Sequence, residues 1–519
     1  MEQQFRMGND AQNEPSPAQG APAEVWLEIF DHVPNSADLT GIASSCKRFR
    51  DLSIRARHRD LVWRTPEQVA DDLPVWDTCL NMEPHVRSLV LGITQYRAGP
   101  GDIIDLDGSR SFGKLVGQPR FETYASPQLH AAVLGKLDRF ANIASMTFTN
   151  MSIKDTHFKL IHSLLKLSEL TIERCAFEAR NVDQMDHTRL PIKDLTMLGV
   201  RRFRNYRDNL PNQPDDDISY PLSLCAAQGL KSLTIDSSAD VFRGVFNAWD
   251  AHARGWTIPR TLEHIYVLKK RPPVSSENQQ HPAQVGLAES TFPDTRLYHF
   301  CVQARSLKTI VTPIFVPNQT TIAPELLPPS LERFAAPLET AQLIAAVRDV
   351  EALGLIRCGV SAREGIIALA NVAAYRSGLK MLLLDCKGWD YELVPAVAQL
   401  FKELRRLKIV FDGPGPTEDF LVALAPDHLV KLRELHTLEL YELPRNGSYV
   451  PEHPMHLFDD SFESIEEELR NLIIPWNRYC PNLRKVQLHA GYVMTRGFEG
   501  AAWCIERVHC LESKEDLDF

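Results

Sequence analysis

The chain has 519 residues, 44% of them hydrophobic, and a formal net charge of -10. That length holds several domains or one long solenoid, with enough apolar side chains for a large core. The acidic balance argues against a nucleic-acid binder, which presents a basic face, and no apolar run reaches the roughly 18 residues of a membrane span.

Residues 1–20 are polar, contain Pro and Gly, and lack the apolar stretch of a signal peptide; they are expected to be disordered. Beyond them, Val25, Trp26, Ile29, Phe30 and Val33 fall at helical spacing. Pro34 and Asn35 end that helix, because proline lacks the amide and clashes with the preceding turn. Ser36 suits the N-cap of a second short helix carrying Leu39 and Ile42. A third helix is predicted from Cys46 to about Arg57, with Phe49, Leu52 and Ala56 on one side.

From about residue 80 the template L-x-x-L-x-[LIV] recurs more often than leucine content gives by chance. It stands at Leu167-Leu170-Ile172, Leu195-Leu198-Val200, Leu230-Leu233-Ile235, Leu379-Leu382-Leu384, Leu404-Leu407-Ile409 and Leu435-Leu438-Leu440. Looser versions include Val86-Leu89-Leu91, Leu262-Ile265-Val267, Leu307-Ile310, Val350-Leu353-Leu355 and Leu483-Val486-Leu488. Cys175 and Cys358 each follow the last apolar position by three residues, the cysteine place of a leucine-rich repeat. Between these strands, Ser361 and Glu364 form a capping box and Gly378 ends the helix that follows. The expected fold class is therefore α/β: an irregular leucine-rich-repeat-like solenoid over 80–519 with parallel strands on its concave face. It is interrupted by surface loops at about 99–119, 209–221, 271–294 and 443–454.

The segment Ala21–Ser53, APAEVWLEIFDHVPNSADLTGIASSCKRFRDLS, resembles the F-box. Pro22 and Glu24 match its opening, Ile29 and Phe30 its apolar pair, and Val33-Pro34 its apolar-Pro step. Asp38-Leu39 and Cys46-Lys47-Arg48-Phe49 follow in the same order. The resemblance implies a three-helix F-box over 21–65 that binds the adaptor subunit of a cullin-based ubiquitin ligase through Pro22, Glu24, Ile29, Phe30, Pro34 and Leu39. It further implies that the repeats hold a protein substrate, that catalysis belongs to other subunits, and that no cofactor is needed. Alternatives are a scaffold that keeps the F-box outside a ligase and, further off, an enzyme, which would show a deep polar pocket with perturbed titratable groups.

Side chains alternate along a strand, so residues between the repeat leucines would face outward. Asp385, Arg406, Lys408, Glu439, Tyr441 and Lys485 are the candidate substrate-binding residues, with Arg406 and Lys408 a basic patch suited to an acidic or phosphorylated segment. Other chemistry finds little footing. Gly108 to Lys114 matches G-x-x-x-x-G-K, but Leu115 stands where a phosphate loop needs Ser or Thr, and Pro119 follows closely. Cys504, His509 and Cys510 lack a fourth ligand for zinc. Ten scattered cysteines without a C-x-x-C pair read as reduced thiols, and the location expected is cytoplasm or nucleus.

Overall fold

The computed structural model describes residues 21–33, 36–78, 83–95, 124–125, 127–177, 185–202, 221–236, 258–268, 300–301, 303–312, 327–356, 362–411, 413–442 and 454–508. The N-terminal tail and, but for Pro221 and Pro454, the four loops lie outside these residues, as do Gly108–Lys114, Cys358 and Ser361. The described chain forms two compact units, one up to Leu170 and one from Thr171 on.

Three helices open the first unit: α1 (Ala23–Asp31), α2 (Ser36–Ser45) and α3 (Lys47–Arg57). Phe30, Leu39 and Ala56 form their core, with Trp26, Val33, Ile42, Phe49 and Leu52 packed around it. Trp26, Phe30 and Phe49 touch ring to ring, with centroids 4.6–5.8 Å apart. Aromatic triplets of this kind supply much of the apolar area that a forty-residue module needs. Polar contacts tie α3 back to α1. Arg55 pairs with Asp31 at 2.7 Å, Arg59 donates to the Asp31 carbonyl and Arg48 to that of Ala21.

The sheet starts earlier than the sequence suggests. Residues 60–63, expected within the helical module, form strand β1 (Asp60–Trp63), parallel to β2 (Ser88–Leu91), which pairs in parallel with β3 (Ser145–Thr149). Leu61 and Trp63 face inward while Asp60 and Val62 are exposed; two inward residues are too few to register against a helical pattern. Around these strands lie α4 (Pro66–Thr78), α5 (Pro127–Leu137) and α6 (Asp155–Ser163). Buried Lys136 on α5 donates to the Trp76 carbonyl at 2.8 Å and pairs with Glu83 at 3.2 Å.

His157 on α6 is fully buried, and its Nδ1 accepts the Lys154 amide at 3.0 Å. Burial, helped by His130 and Lys154, pushes its pKa down to about 3 from 6.5. The native imidazole therefore stays neutral while the unfolded one protonates below 6.5. Its contribution is intact above that pH and is lost progressively as pH falls toward 3. Unfolding free energy is expected to drop by about 2 kcal/mol between pH 6.5 and 5 through this residue. Comparing urea midpoints of wild type and His157→Phe over that range checks it: an unchanged slope in the variant would exclude His157 as the source.

The second unit carries strands β4 (Asp194–Leu198), β5 (Ser232–Asp236), β6 (His264–Leu268), β7 (Thr309–Val311), β8 (Arg333–Ala336), β9 (Ala352–Leu355), β10 (Met381–Cys386), β11 (Arg406–Phe411), β12 (Thr437–Glu442) and β13 (Lys485–His489). They lie side by side in chain order, each pair parallel. Helices α7 (Leu338–Val347), α8 (Ala362–Tyr375), α9 (Leu393–Leu400), α10 (Glu418–Asp427) and α11 (Ile465–Ile473) return the chain between successive strands from β8 to β13. This is the leucine-rich-repeat-like arrangement, and the backbone repeats more faithfully than the sequence. One carbonyl before each strand accepts two consecutive amides of the next: Lys231 and Ser232 on Lys193, Glu263 and His264 on Lys231, and so on to Arg484 and Lys485 on His436. A hydroxyl ladder runs beside it. Thr261, Ser306 and Ser330 each donate to the carbonyl of the preceding repeat's leading leucine, Leu230, Leu262 and Leu307, at 2.7–2.9 Å.

Pairing corrects two readings. Leu233 stands opposite Leu195 and Ile235 opposite Met197, so the repeat there is Ile192-Leu195-Met197, three residues before Leu195-Leu198-Val200. Leu331-Phe334-Ala336 is a repeat in register with Val350-Leu353-Leu355, hidden because Phe and Ala replace the aliphatic residues. The sheet is also not parallel throughout. It closes on β14 (Tyr492–Thr495) and β15 (Cys504–Arg507), both antiparallel.

Candidate functional site

In the first unit, the residues matched to adaptor binding divide sharply. Phe30 and Leu39 are 1% and 3% exposed and belong to the core, so they cannot serve as anchors left open to a partner. The motif positions that made them candidates coincide with the core-facing positions of their helices. Pro22, Glu24 and Ile29 are exposed, and Pro34 lies outside the described residues. Ile29 stands one turn from Val25, and the two are 45% and 47% exposed; residues four apart share a helix face. Val25 is passed over in the sequence because it is not among the positions that match the F-box pattern. Cys46 is exposed and caps α3, with its Sγ accepting the Phe49 amide at 3.4 Å.

In the second unit the register brings the expected strand residues together as columns. Met381, Arg406, Thr437 and Lys485 align, as do Leu383, Lys408, Glu439 and Gln487, and then Asp385, Val410 and Tyr441. Their accessibility differs from expectation. Lys408 and Glu439 are each 2% exposed and Tyr441 1%, so these three do not line an open face. Leu383, Val410 and Gln487 are buried with them. Val410 and Tyr441 form a small apolar cluster with Ala490, and Val508 packs against it. Only Asp385, Arg406 and Lys485 of the six keep partial exposure. A parallel sheet is ordinarily covered on both faces, and strands such as MLLLDC and RLKIVF carry the near-continuous apolar run that goes with it.

The charges on this face neutralise one another. Glu439 pairs with Arg406 at 3.0 Å and Lys485 at 2.8 Å from the strands on either side. Burial acts to raise its pKa, but Arg406, then Lys408 and Lys485, outweigh burial and hold the carboxyl below its ordinary range. Lys408 Nζ also stands 5.5 Å from the centre of the Tyr441 ring. The arrangement is a structural ion network with two rims, Arg406 and Lys485, reaching solvent.

A polar cleft of about 490 Å³ is lined by Ser330, Glu332, Asp349, Glu351 and Lys380 among others, with no His or Cys in its walls. Burial raises Cys301, Cys386 and Cys480 to about 12, far from thiolate reactivity. No group of three metal-binding side chains occurs among the described residues; Cys504 is exposed, while His509 and Cys510 lie outside them. No described helix is long and apolar enough to cross a membrane.

No family model matches the chain, and no curated protein matches it. Among solved structures, the crystal structure of a TLR13–ssRNA13 complex matches over 70% of this chain, with 11% sequence identity and a TM-score of 0.28. The match covers 44% of that chain's length, and a likeness so distant says nothing about fold or ligand.

Proposed function

We propose that this chain is a non-catalytic substrate-recognition subunit of a cullin-based ubiquitin ligase. Its first helices engage the adaptor subunit, and its repeat-like sheet is the body that holds a protein substrate. The observation that carries the reading is the order-preserving F-box-like series over Ala21–Ser53. It falls on three short helices, with Pro22 at the N-cap of α1 and Val25 and Ile29 on it exposed to solvent. Apolar side chains on a rigid helix face are the usual anchors of such interfaces.

The test follows from the corrected geometry. Val25→Asp with Ile29→Asp is expected to weaken capture of the adaptor by at least about thirtyfold, roughly 2 kcal/mol for two central anchors. Phe30→Ala serves as the contrasting variant, since it should unfold the three helices rather than strip a surface. Wild-type capture by the double variant would end the ligase reading, and a protein that binds the adaptor but never a cullin would instead be a scaffold outside the ligase.

A further inference from the structure

Each strand of the second unit begins at a short turn, and consecutive turns stand one strand apart, about 4.8 Å in a sheet. Arg405, His436 and Arg484 occupy equivalent places, one residue before the aligned Arg406, Thr437 and Lys485. The segments that run from these turns into the strands are KELRR (402–406) at β11, KLRELHT (431–437) at β12 and RK (484–485) at β13, with Lys and Arg outnumbering Glu in all of them. Arg405, Arg433, Lys402 and Lys431 are exposed, and among the described residues no carboxylate pairs with any of the four. Among the described cations of these turns, Arg406 and Lys485 are ion-paired, both with the buried Glu439. A local excess of cations therefore runs along the leading edge of β11–β13 on a chain whose net charge is -10.

The cation excess ends toward the preceding strands. There Lys380 is paired with Glu351 at 2.7 Å, Arg376 with Asp349 at 3.6 Å and Lys308 with Glu263 at 3.1 Å. We infer that the leading edge of β11–β13 is a docking surface for a short acidic segment of a protein partner, rich in Asp and Glu or phosphorylated. Unanswered guanidinium groups recognise carboxylate and phosphate by paired hydrogen bonds. The paired charges of Lys380 with Glu351 and of Arg376 with Asp349 leave no comparable cation excess there, which confines the acidic stretch to the β11–β13 end. Single-stranded nucleic acid fits less well, since the three turns offer no aromatic platform beyond the His436 ring. This inference rests on the second unit being an interaction body and is independent of the adaptor-binding face.

The experiment is fluorescence anisotropy on the full chain with a labelled Asp/Glu-rich peptide, its phosphoserine counterpart, a neutral peptide and a single-stranded RNA of equal charge. Wild type is expected to bind an acidic peptide and to lose affinity with added salt. Arg405→Glu with Arg433→Glu should weaken that binding at least about tenfold, and Arg405→Gln with Arg433→Gln by less. Adaptor capture and the thermal midpoint of both variants should stay at wild-type values, which separates this result from failure of the ligase reading. Equal binding of neutral and acidic peptides, equal binding by wild type and the charge-reversed variant, or tighter binding of RNA than of either acidic peptide would overturn the inference.

Discussion

Arg496→Ala is expected to cost about 3–5 kcal/mol and to loosen the C-terminal end of the sheet first. The reason lies in how a repeat array ends. Every strand-leading carbonyl from Lys193 to His436 is satisfied by the next repeat's amides, and the last repeat has no successor. Arg496, only 6% exposed, substitutes for it. Its amide donates to the Arg484 carbonyl at 2.9 Å. Its Nε donates to Leu483, the place that a Ser or Thr hydroxyl serves in earlier repeats, at 2.6 Å. Its Nη2 reaches the Pro481 and Cys480 carbonyls at 2.8 and 3.4 Å. The guanidinium lies over the Trp503 ring, 4.9 Å from its centre, and Trp503 is held by Asn477. Truncation removes two close charge-assisted hydrogen bonds, at about 1.5–3 kcal/mol each, together with the contact on Trp503; the Pro481 and Leu483 carbonyls keep Arg484 Nη1 as a second donor and Cys480 keeps the Leu483 amide, so the loss is that of the bonds themselves. Arg496→Lys should regain under half, because one ammonium cannot span the donors of a planar fork. Hydrogen exchange is the direct readout: amides of β14 and β15 should lose protection before those of β10 and β11. Unchanged protection and an unchanged urea midpoint would show that the cap is idle.

This cap is one of the features that sequence alone does not disclose. An arginine in MTRGF has no local signature, and its partners lie 13–16 residues back in the chain. Legibility follows the range of the interaction. The helices from Ala23 to Arg57 were readable because their breaker, caps and apolar spacing are local. Most repeat strands were readable because leucine recurs at fixed offsets, and the strands whose phase slipped are those where Ile192, Met197, Phe334 or Ala336 breaks the leucine pattern. Period-two alternation placed Lys408 and Glu439 in one column, as the register has them. It carries no information on whether that face meets water, since cover is a tertiary property. The hint lay in composition: Leu383, Val410 and Tyr441 are poor solvent-facing residues. The same limit explains Phe30 and Leu39. A motif gives positions, and only packing separates a core anchor from a surface one.

The buried ion network gives the second large effect. Glu439→Gln keeps the shape of the side chain and deletes its charge. Lys408, 2% exposed, and the partly exposed Arg406 would then face each other and Lys485 without the carboxylate that lies among them. Breaking a buried pair by removing one partner costs about 3–5 kcal/mol, because the charge left behind has lost its solvation. That loss should be visible as a lowered urea midpoint with the slope unchanged. The decisive variant is the double one. Lys408→Met removes the deepest cation and fits the neighbouring Leu383 and Tyr441. In Glu439→Gln with Lys408→Met, most of the stability lost on Glu439→Gln should return, since apolar packing often replaces a buried ion pair at little cost. The coupling across this cycle should exceed about 1 kcal/mol, as expected for residues in one network. Losses that simply add would mean that Lys408 and Glu439 are neighbours without being partners, and the network would reduce to the rim pairs of Glu439 with Arg406 and Lys485.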